Sequence, residues 1–289
     1  MATTVLTDST SDLTPEEQER FGVSVVALNV LSGGANYLDH HDISSQKLFE
    51  DVQAGAAMPY TSPPSADQYH GIVEKLLETH DHILSLHLSV QLSQTVNIAR
   101  KAAQRYGGRV TVIDSQQTSG ALAMQAERAA RLLRSDTPTP TVTRILEAVS
   151  RQSCTRMGLD TLEYLRRNGR IGSATALLGG LLKMKPIVGI GDGQVIAVGR
   201  TVGQAAKHRR MAQELRQHIR QMGELGARVV VFDNGDRLGV ETLMQVVASE
   251  GAQLLAHSTM GSVLSAHGGP GVCGFSVEPR QVYHDFRLY

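Results

Sequence analysis

His82-Ile83-Leu84-Ser85-Leu86-His87-Leu88 runs into Ser89-Val90-Gln91-Leu92-Ser93-Gln94-Thr95, after which Val96, Ala99 and Ala103 continue a face begun at Leu92. The first segment is short and mostly apolar, as in a buried strand. The face repeats every three or four residues, as in a helix, and Gly107-Gly108 supplies its stop. Arg109 to Ile113 reads as the next strand and Gly120 to Arg134 as the next helix. Toward the N-terminus the alternation continues. Val5-Leu6 is a short strand, and Thr14-Pro15-Glu16-Glu17 is a capping box with proline at the first helical position. Val23 to Leu31 reads as one strand closed by the turn Ser32-Gly33-Gly34, and a helix starts at Ser44 or Ser45. A second capping box, Ser65-Ala66-Asp67-Gln68, opens a helix whose apolar face is Tyr69, Ile72, Val73, Leu76 and Leu77. Strands separated by single helices predict an α/β unit with a mainly parallel sheet, whose ligands gather at the carboxyl ends of the strands.

Ser135 to Pro140 interrupts the pattern, and a helix around Val142 to Arg151 bridges to a second unit, so the chain is divided into lobes at 1–152 and 153–289. In the second lobe Thr161 to Arg167 is a short helix ended by Asn168-Gly169, and Ser173 to Leu182 reads as an apolar, glycine-rich helix. Met184 to Ile190 and Gln194 to Val198 flank Gly191-Asp192-Gly193, a hairpin signal. A long helix from Gly203 to about Gly223 and strands at Val229 to Phe232, Gln253 to Ala256 and Phe275 to Val277 complete the lobe.

Composition limits the function classes. The 289 residues are 41% hydrophobic, and 28 Lys and Arg balance 28 Asp and Glu. A neutral chain lacks the cationic excess of sequence-independent nucleic-acid binding, so no nucleic-acid partner is expected. The basic run Lys207-His208-Arg209-Arg210 reads as a solvated helix face. Cys154 and Cys273 lack metal or redox spacing and read as reduced, buried residues. The start carries no secretory pattern and no apolar run approaches about 18 residues, so a cytoplasmic protein without stable membrane insertion is expected.

Two hydroxyl-rich loops stand out, Tyr60-Thr61-Ser62-Pro63-Pro64-Ser65 and Ser89 to Thr95. Each precedes a helix, where small hydroxyls and free N–H groups suit an anion such as a carboxylate. Thr61 and Ser93 read either as ligand contacts or as caps; Ser65 reads as a cap. Asp8 and Asp114 stand at strand ends, where a carboxylate is either catalytic or an Asx-turn; Asp12 reads as an Asx-turn and helix entry. His267, before Gly268-Gly269-Pro270-Gly271, sits on a glycine loop that either faces a site or lies on the surface. Arg170 occupies a turn where it either reaches an anion or a partner or caps a helix end. Leu177, Leu178 and Leu181 read as core, or as a wall against a hydrophobic tail. His40-His41-Asp42 and His80-Asp81-His82 lack ligand spacing, so neither metal nor cofactor is expected. Gly269 to Gly274 spells GxGxxG but precedes a strand, which removes the dinucleotide reading.

Thr7-Asp8-Ser9, Thr61-Ser62-Pro63-Pro64-Ser65, Asp114-Ser115, Leu162-Glu163-Tyr164-Leu165 through Arg170-Ile171, and Leu182-Lys183-Met184-Lys185-Pro186-Ile187 in this order resemble the DegV family, over roughly residues 3–284. That family includes the fatty acid-binding subunits of the bacterial fatty acid kinase. The resemblance implies two α/β lobes with a fatty acid buried between them. It implies that Thr61 and Ser93 hydrogen-bond the carboxylate and that His267 approaches it from the second lobe. Arg170 would stand near the carboxyl end and engage a kinase or the transferred phosphate, and Ser62, Leu177, Leu178 and Leu181 would belong to the pocket. The chain would then be a carrier, not an enzyme. It would present a long-chain fatty acid to a separate ATP-dependent kinase subunit that makes acyl phosphate for phospholipid synthesis. Where the family has glycines this chain has Gln91, Gln94 and Asn168. Burying a CH₂ contributes about 0.8 kcal/mol, so a dozen tail carbons give roughly 10 kcal/mol before immobilisation is deducted. The rival reading is a hydrolase or transferase acting on a small carboxylate or ester through Ser93 or Asp8.

Overall fold

A computed structural model describes residues 2–179 and 183–281. The first lobe comprises β1 (Thr3–Asp8), α1 (Pro15–Phe21), β2 (Val23–Val26), β3 (Asn29–Ser32), β4 (Ala35–Leu38), α2 (Ser45–Gln53), β5 (Tyr60–Ser62), α3 (Ala66–Leu77), β6 (His82–His87), α4 (Thr95–Ala103), β7 (Val110–Asp114), α5 (Ser119–Arg134) and α6 (Thr139–Gln152). The second comprises β8 (Cys154–Gly158), α7 (Glu163–Arg167), β9 (Met184–Gly191), β10 (Gln194–Val202), α8 (Gln204–Gln221), β11 (Ala227–Asn234), α9 (Arg237–Ser249), β12 (Gln253–Thr259), α10 (Ser262–Gly268) and β13 (Val272–Pro279). Among the described residues no helix is long and apolar enough to cross a membrane.

The fold is α/β, with the expected parallel sheet in the first lobe. Its order is β2-β1-β6-β7, with all neighbours parallel. The chain leaves β1 toward β2 on one side and β6 toward β7 on the other. The crevice between the ends of β1 and β6 is therefore a topological switch point, the usual place for a ligand in an open parallel sheet. Both predicted capping boxes form, at Thr14/Glu17 and Ser65/Gln68. The second lobe is a mixed six-stranded sheet, β10-β9-β8-β13-β11-β12. Its β9–β10 hairpin turns at Asp192 and Gly193, whose positive φ values of 47° and 75° match the twist of the flanking strands.

Helix α5 lies between the two sheets. It packs on β1 at one side and on β11 and β13 at the other. Every residue from Ser119 to Ala130 is consequently buried, and the alanines of this helix allow close approach. At Gly120 a Cβ would stand 2.7 Å from Val230, so only glycine fits there.

Four expectations are corrected. Val23 to Leu31 is not one strand: it breaks at Ala27-Leu28, where Leu28 N donates to Ser9 Oγ, and β3 joins a separate antiparallel sheet, β4-β3-β5. The segment Tyr60-Thr61-Ser62, expected as loop, is the edge strand of that sheet, with Thr61 paired to Val30. The α-helix expected from Ser173 to Leu182 does not form over the described residues 173–179. A 3-10 turn spans Gly172–Leu177 and ends at extended Leu178, because Gly172 and Gly179 adopt positive φ; residues 180–182, Leu181 among them, lie outside the described residues. Finally, Lys207 and His208 are not on a solvated face. Lys207 is fully buried, its Nζ 3.0 Å from Asp160, 2.9 Å from Asp236 and 2.7 Å from the Gly271 carbonyl, and His208 reaches Asp236 at 2.8 Å. Only Arg209 and Arg210 of that run are exposed.

Candidate functional site

At the switch point, Asp8 ties the two diverging strands together. Its Oδ1 accepts from Thr10 N and Oγ1, and its Oδ2 accepts from Leu88 N at 2.9 Å and lies 3.1 Å from His87 Nδ1. Asp8 is fully buried, and both oxygens are engaged. Asp8, not Asp12, therefore makes the Asx-type turn: Asp12 sits in the left-handed region with φ 54° and bonds across the molecule instead. Asp114 Oδ1 accepts from Gln116 N and from Val90 N, fastening the loop that carries Ser93.

Above this crevice a cavity opens between the lobes, with about 780 Å³ of empty space, its open mouth included. Its first-lobe wall is Thr10, Leu28, Thr61, Ser62, Pro63, Leu88, Leu92, Ser93, Thr118 and Ser119. Met157, Leu159, Leu165, Ile190, Val195, Met260, Val263 and Leu264 make the apolar wall of the second lobe, with Arg170, His267 and Gly268 beside them. Hydroxyls, an imidazole and a guanidinium thus share one otherwise aliphatic chamber.

Thr61, Ser62, Ser93, Arg170 and His267 all line this cavity. Thr61 Oγ1 is 2.8 Å from His267 Nε2, a contact across 206 residues of sequence. Ser93 Oγ is 2.9 Å from Thr95 Oγ1 and accepts from Thr95 N, in the first turn of α4. Arg170 donates from Nε to the Leu92 carbonyl and from Nη1 to the Asn168 carbonyl, so its guanidinium lies over the Ser93 loop while its side chain stays exposed. His267 is on α10, not on a flexible glycine loop, because the helix continues to Gly268. Leu177 and Leu178 do not line the cavity. Leu177 packs on the outer side of the core that includes Leu165 and Val195, and Leu178 is 42% exposed past the end of the 3-10 turn.

The glycine replacements fall outside the chamber. Gln91 leans on the β9–β10 turn, its Cγ 3.5 Å from where a Cβ would stand at Gly193, and Gln94 precedes α4 as its N-cap. Asn168 is buried, and its Nδ2 donates to the Ala266 carbonyl at 2.9 Å. Composition gave no sign of Thr118, whose buried Oγ1 lines the cavity without a hydrogen-bond partner among the described residues.

Electrostatics keep His267 neutral. Removal from water, and after it the Arg170 cation, push its pKa down from 6.5 to about 4. Its Nδ1 is buried without a partner among the described residues. The unfolded chain binds this proton near pH 6.5, whereas the folded protein refuses it until about pH 4. Stability therefore falls with pH across that window, by at most about 3 kcal/mol. His267→Gln is expected to flatten this part of the stability profile, measured by urea unfolding at pH 7 and pH 4.5. An unchanged slope would mean that His267 is hydrated in solution.

Away from the cavity, His208, Asp236 and Cys273 bring ligand atoms within 4.8 Å of one another. The Lys207 ammonium already holds Asp236 at 2.9 Å, and burial pushes the Cys273 thiol far up, so the group is suited to an internal ion pair.

A family model described as an uncharacterised protein, DegV family, matches residues 2–280. A DegV domain-containing protein of Deinococcus radiodurans is 42% identical over 283 residues, covering 96% of this chain and 99% of the relative. Among solved structures, a DegV family protein from Thermus thermophilus described by its fatty acid binding superposes with a TM-score of 0.91 at 38% identity, covering 96% of this chain and all of the other. DegV from Bacillus subtilis, described as a fatty acid binding protein, has a TM-score of 0.85 at 24% identity, over 96% and 99% of the two chains; at that identity the likeness speaks to the fold.

Proposed function

The chain belongs to the DegV family, and from that premise we propose that it binds a long-chain fatty acid between its lobes, 1–152 and 153–289, with the carboxylate at Thr61, Ser93 and His267. The observation that carries this reading is the lining of one chamber, where aliphatic side chains of both lobes share the space with hydroxyls, among them Thr61 and Ser93, and with His267. A saturated tail supplies only apolar surface, which such walls remove from water, at about 0.8 kcal/mol per CH₂. The head group needs donors, and the Thr61 and Ser93 hydroxyls provide them without a formal charge. Arg170 stands at the Ser93 loop with its guanidinium exposed, where it would meet a phosphate or a partner protein. In this reading the carrier presents the carboxylate to a separate ATP-dependent kinase, which forms the acyl phosphate.

The hydrolase alternative requires Ser93 to have a base within hydrogen-bond reach, or Asp8 to face a substrate. The Ser93 hydroxyl pairs with Thr95, His267 pairs with Thr61, and Asp8 is enclosed by Thr10, His87 and Leu88. These partners favour binding over turnover.

Solvent extraction of the denatured, purified protein followed by mass spectrometry is expected to yield one fatty acid per chain. A protein that yields none, and takes up neither added palmitate nor added oleate, would not be a fatty acid carrier.

A further inference from the structure

Helix α10 belongs to the second lobe by sequence, but the first lobe grips it at both ends. At its N-terminus Gly261 N donates to Asp12 Oδ1 at 2.9 Å. The Ser262 hydroxyl and Val263 N both donate to Asp39 Oδ1, at 2.7 and 3.1 Å. At the other end His267 meets Thr61 on β5. Asn168 holds the neighbouring Ala266 carbonyl. Between these ends the helix gives the cavity Val263, Leu264, His267 and Gly268, so any shift of α10 moves that part of the second-lobe wall.

The grip is more elaborate than capping alone requires. A single Ser or Asp satisfies an ordinary helix start. Here two carboxylates, each no more than 2% exposed, converge on seven helical residues, and Asp39 Oδ2 remains buried without a partner among the described residues. An unmatched buried oxygen is costly to keep. Asp12 is braced in turn by Ser119 Oγ at 3.2 Å and by His40 Nε2 at 3.3 Å. Burial works against charge on His40, yet Asp12 and Asp39 push it up to about 9, so an imidazolium offsets part of the local negative charge at neutral pH. Asp39 is also anchored toward the cavity, since its N–H donates to the carbonyl of Leu28.

We infer that Asp39, supported by Asp12, is a positioning residue for the anion-binding end of the cavity: through α10 it sets where His267 stands relative to Thr61. This deepens the fatty acid reading and rests on it for the identity of the ligand. The geometry of the clamp does not depend on the ligand.

The test is the imidazole titration of His267 followed by NMR in the ligand-free protein, assigned by difference against His267→Gln, together with palmitate affinity from calorimetry. Asp39→Ala is expected to move the His267 midpoint up by about one pH unit or more, toward its hydrated value. It should also weaken palmitate binding roughly tenfold. Asp39→Asn should restore both, because an amide oxygen still accepts from Val263 N. A lower melting temperature with an unchanged His267 titration and a palmitate Kd within about twofold would reduce Asp39 to a structural cap and overturn the inference. Should Asp39→Ala fail to fold, Ser262→Ala removes one of the two bonds to Asp39 and is expected to move both readouts the same way by less. An unmoved His267 titration in that variant would overturn the inference equally. If the wild-type protein takes up no palmitate, the ligand assignment falls, and the titration alone decides the clamp.

Discussion

Glu278→Ala is expected to destabilise the protein by about 3–5 kcal/mol, because it leaves a buried guanidinium without its anion. Glu278 is fully buried on β13, and its Oε1 accepts from Arg128 Nε and Nη2 on α5 and from Arg228 Nε on β11. Arg228 also pairs with Glu127 and donates to the Met124 carbonyl, and Arg128 donates to the Pro279 carbonyl. Two guanidiniums and two carboxylates therefore balance inside the seam between α5 and the second sheet. Removing Glu278 leaves two buried cations facing one anion, and the cost is the desolvation of the orphaned charge. Replacing Arg128, Arg228, Glu127 and Glu278 together by apolar residues of similar volume is expected to be far less harmful than the single change, because no charge is then left unpaired. Urea unfolding at neutral pH measures both. A loss below about 1 kcal/mol for Glu278→Ala would show that water reaches the seam and screens the charges.

Thr61→Val is expected to weaken long-chain fatty acid binding by about 10- to 100-fold while leaving the fold intact. The replacement keeps the β-branched shape suited to β5 and exchanges the hydroxyl for a methyl group. A hydrogen bond to a carboxylate is worth about 1.5–3 kcal/mol, which gives this range. The tail contributes more than the head group, so binding should be weakened rather than abolished. The corresponding methyl ester should lose less than the acid on going from wild type to Thr61→Val, since its carbonyl accepts only a neutral hydrogen bond, worth about 0.5–1.5 kcal/mol. The chain contains no tryptophan, so calorimetry is the suitable measurement. Equal losses for acid and ester would place the carboxylate elsewhere in the cavity.

Much of the first lobe was legible in the sequence because its signals are local. Each capping box closes bonds over three residues, Ser65 with Gln68 and Thr14 with Glu17, so residue identity and spacing suffice. The Gly191-Asp192-Gly193 turn was legible for the same reason. The strand expected from Val23 to Leu31 was wrong because β-branched content marks extended chain but not the sheet it joins. Leu28 breaks the run to reach the cavity, and no periodicity announces that. In the second lobe the apolar run after Gly172 looked helical by composition, whereas positive φ at two glycines decides its path. The assignment of Thr61, Ser93, His267 and Arg170 came from resemblance to a family. Spacing alone left Thr61, Ser93 and Arg170 open between ligand contact and cap, and His267 open between a site and the surface.

The sequence by itself determined the alternation of strand and helix, hence a parallel sheet, and the caps and turns that delimit its elements. These depend on neighbours within about four residues, where helix and turn chemistry operates. Only the tertiary structure decided the order β2-β1-β6-β7, which places the crevice between Asp8 and Leu88. It alone brought His267 to Thr61 across 206 residues and Asp12 to Gly261 across 249. Such contacts leave no periodic trace, because they are fixed by the packing of two sheets on α5 and not by the residues adjacent in the chain.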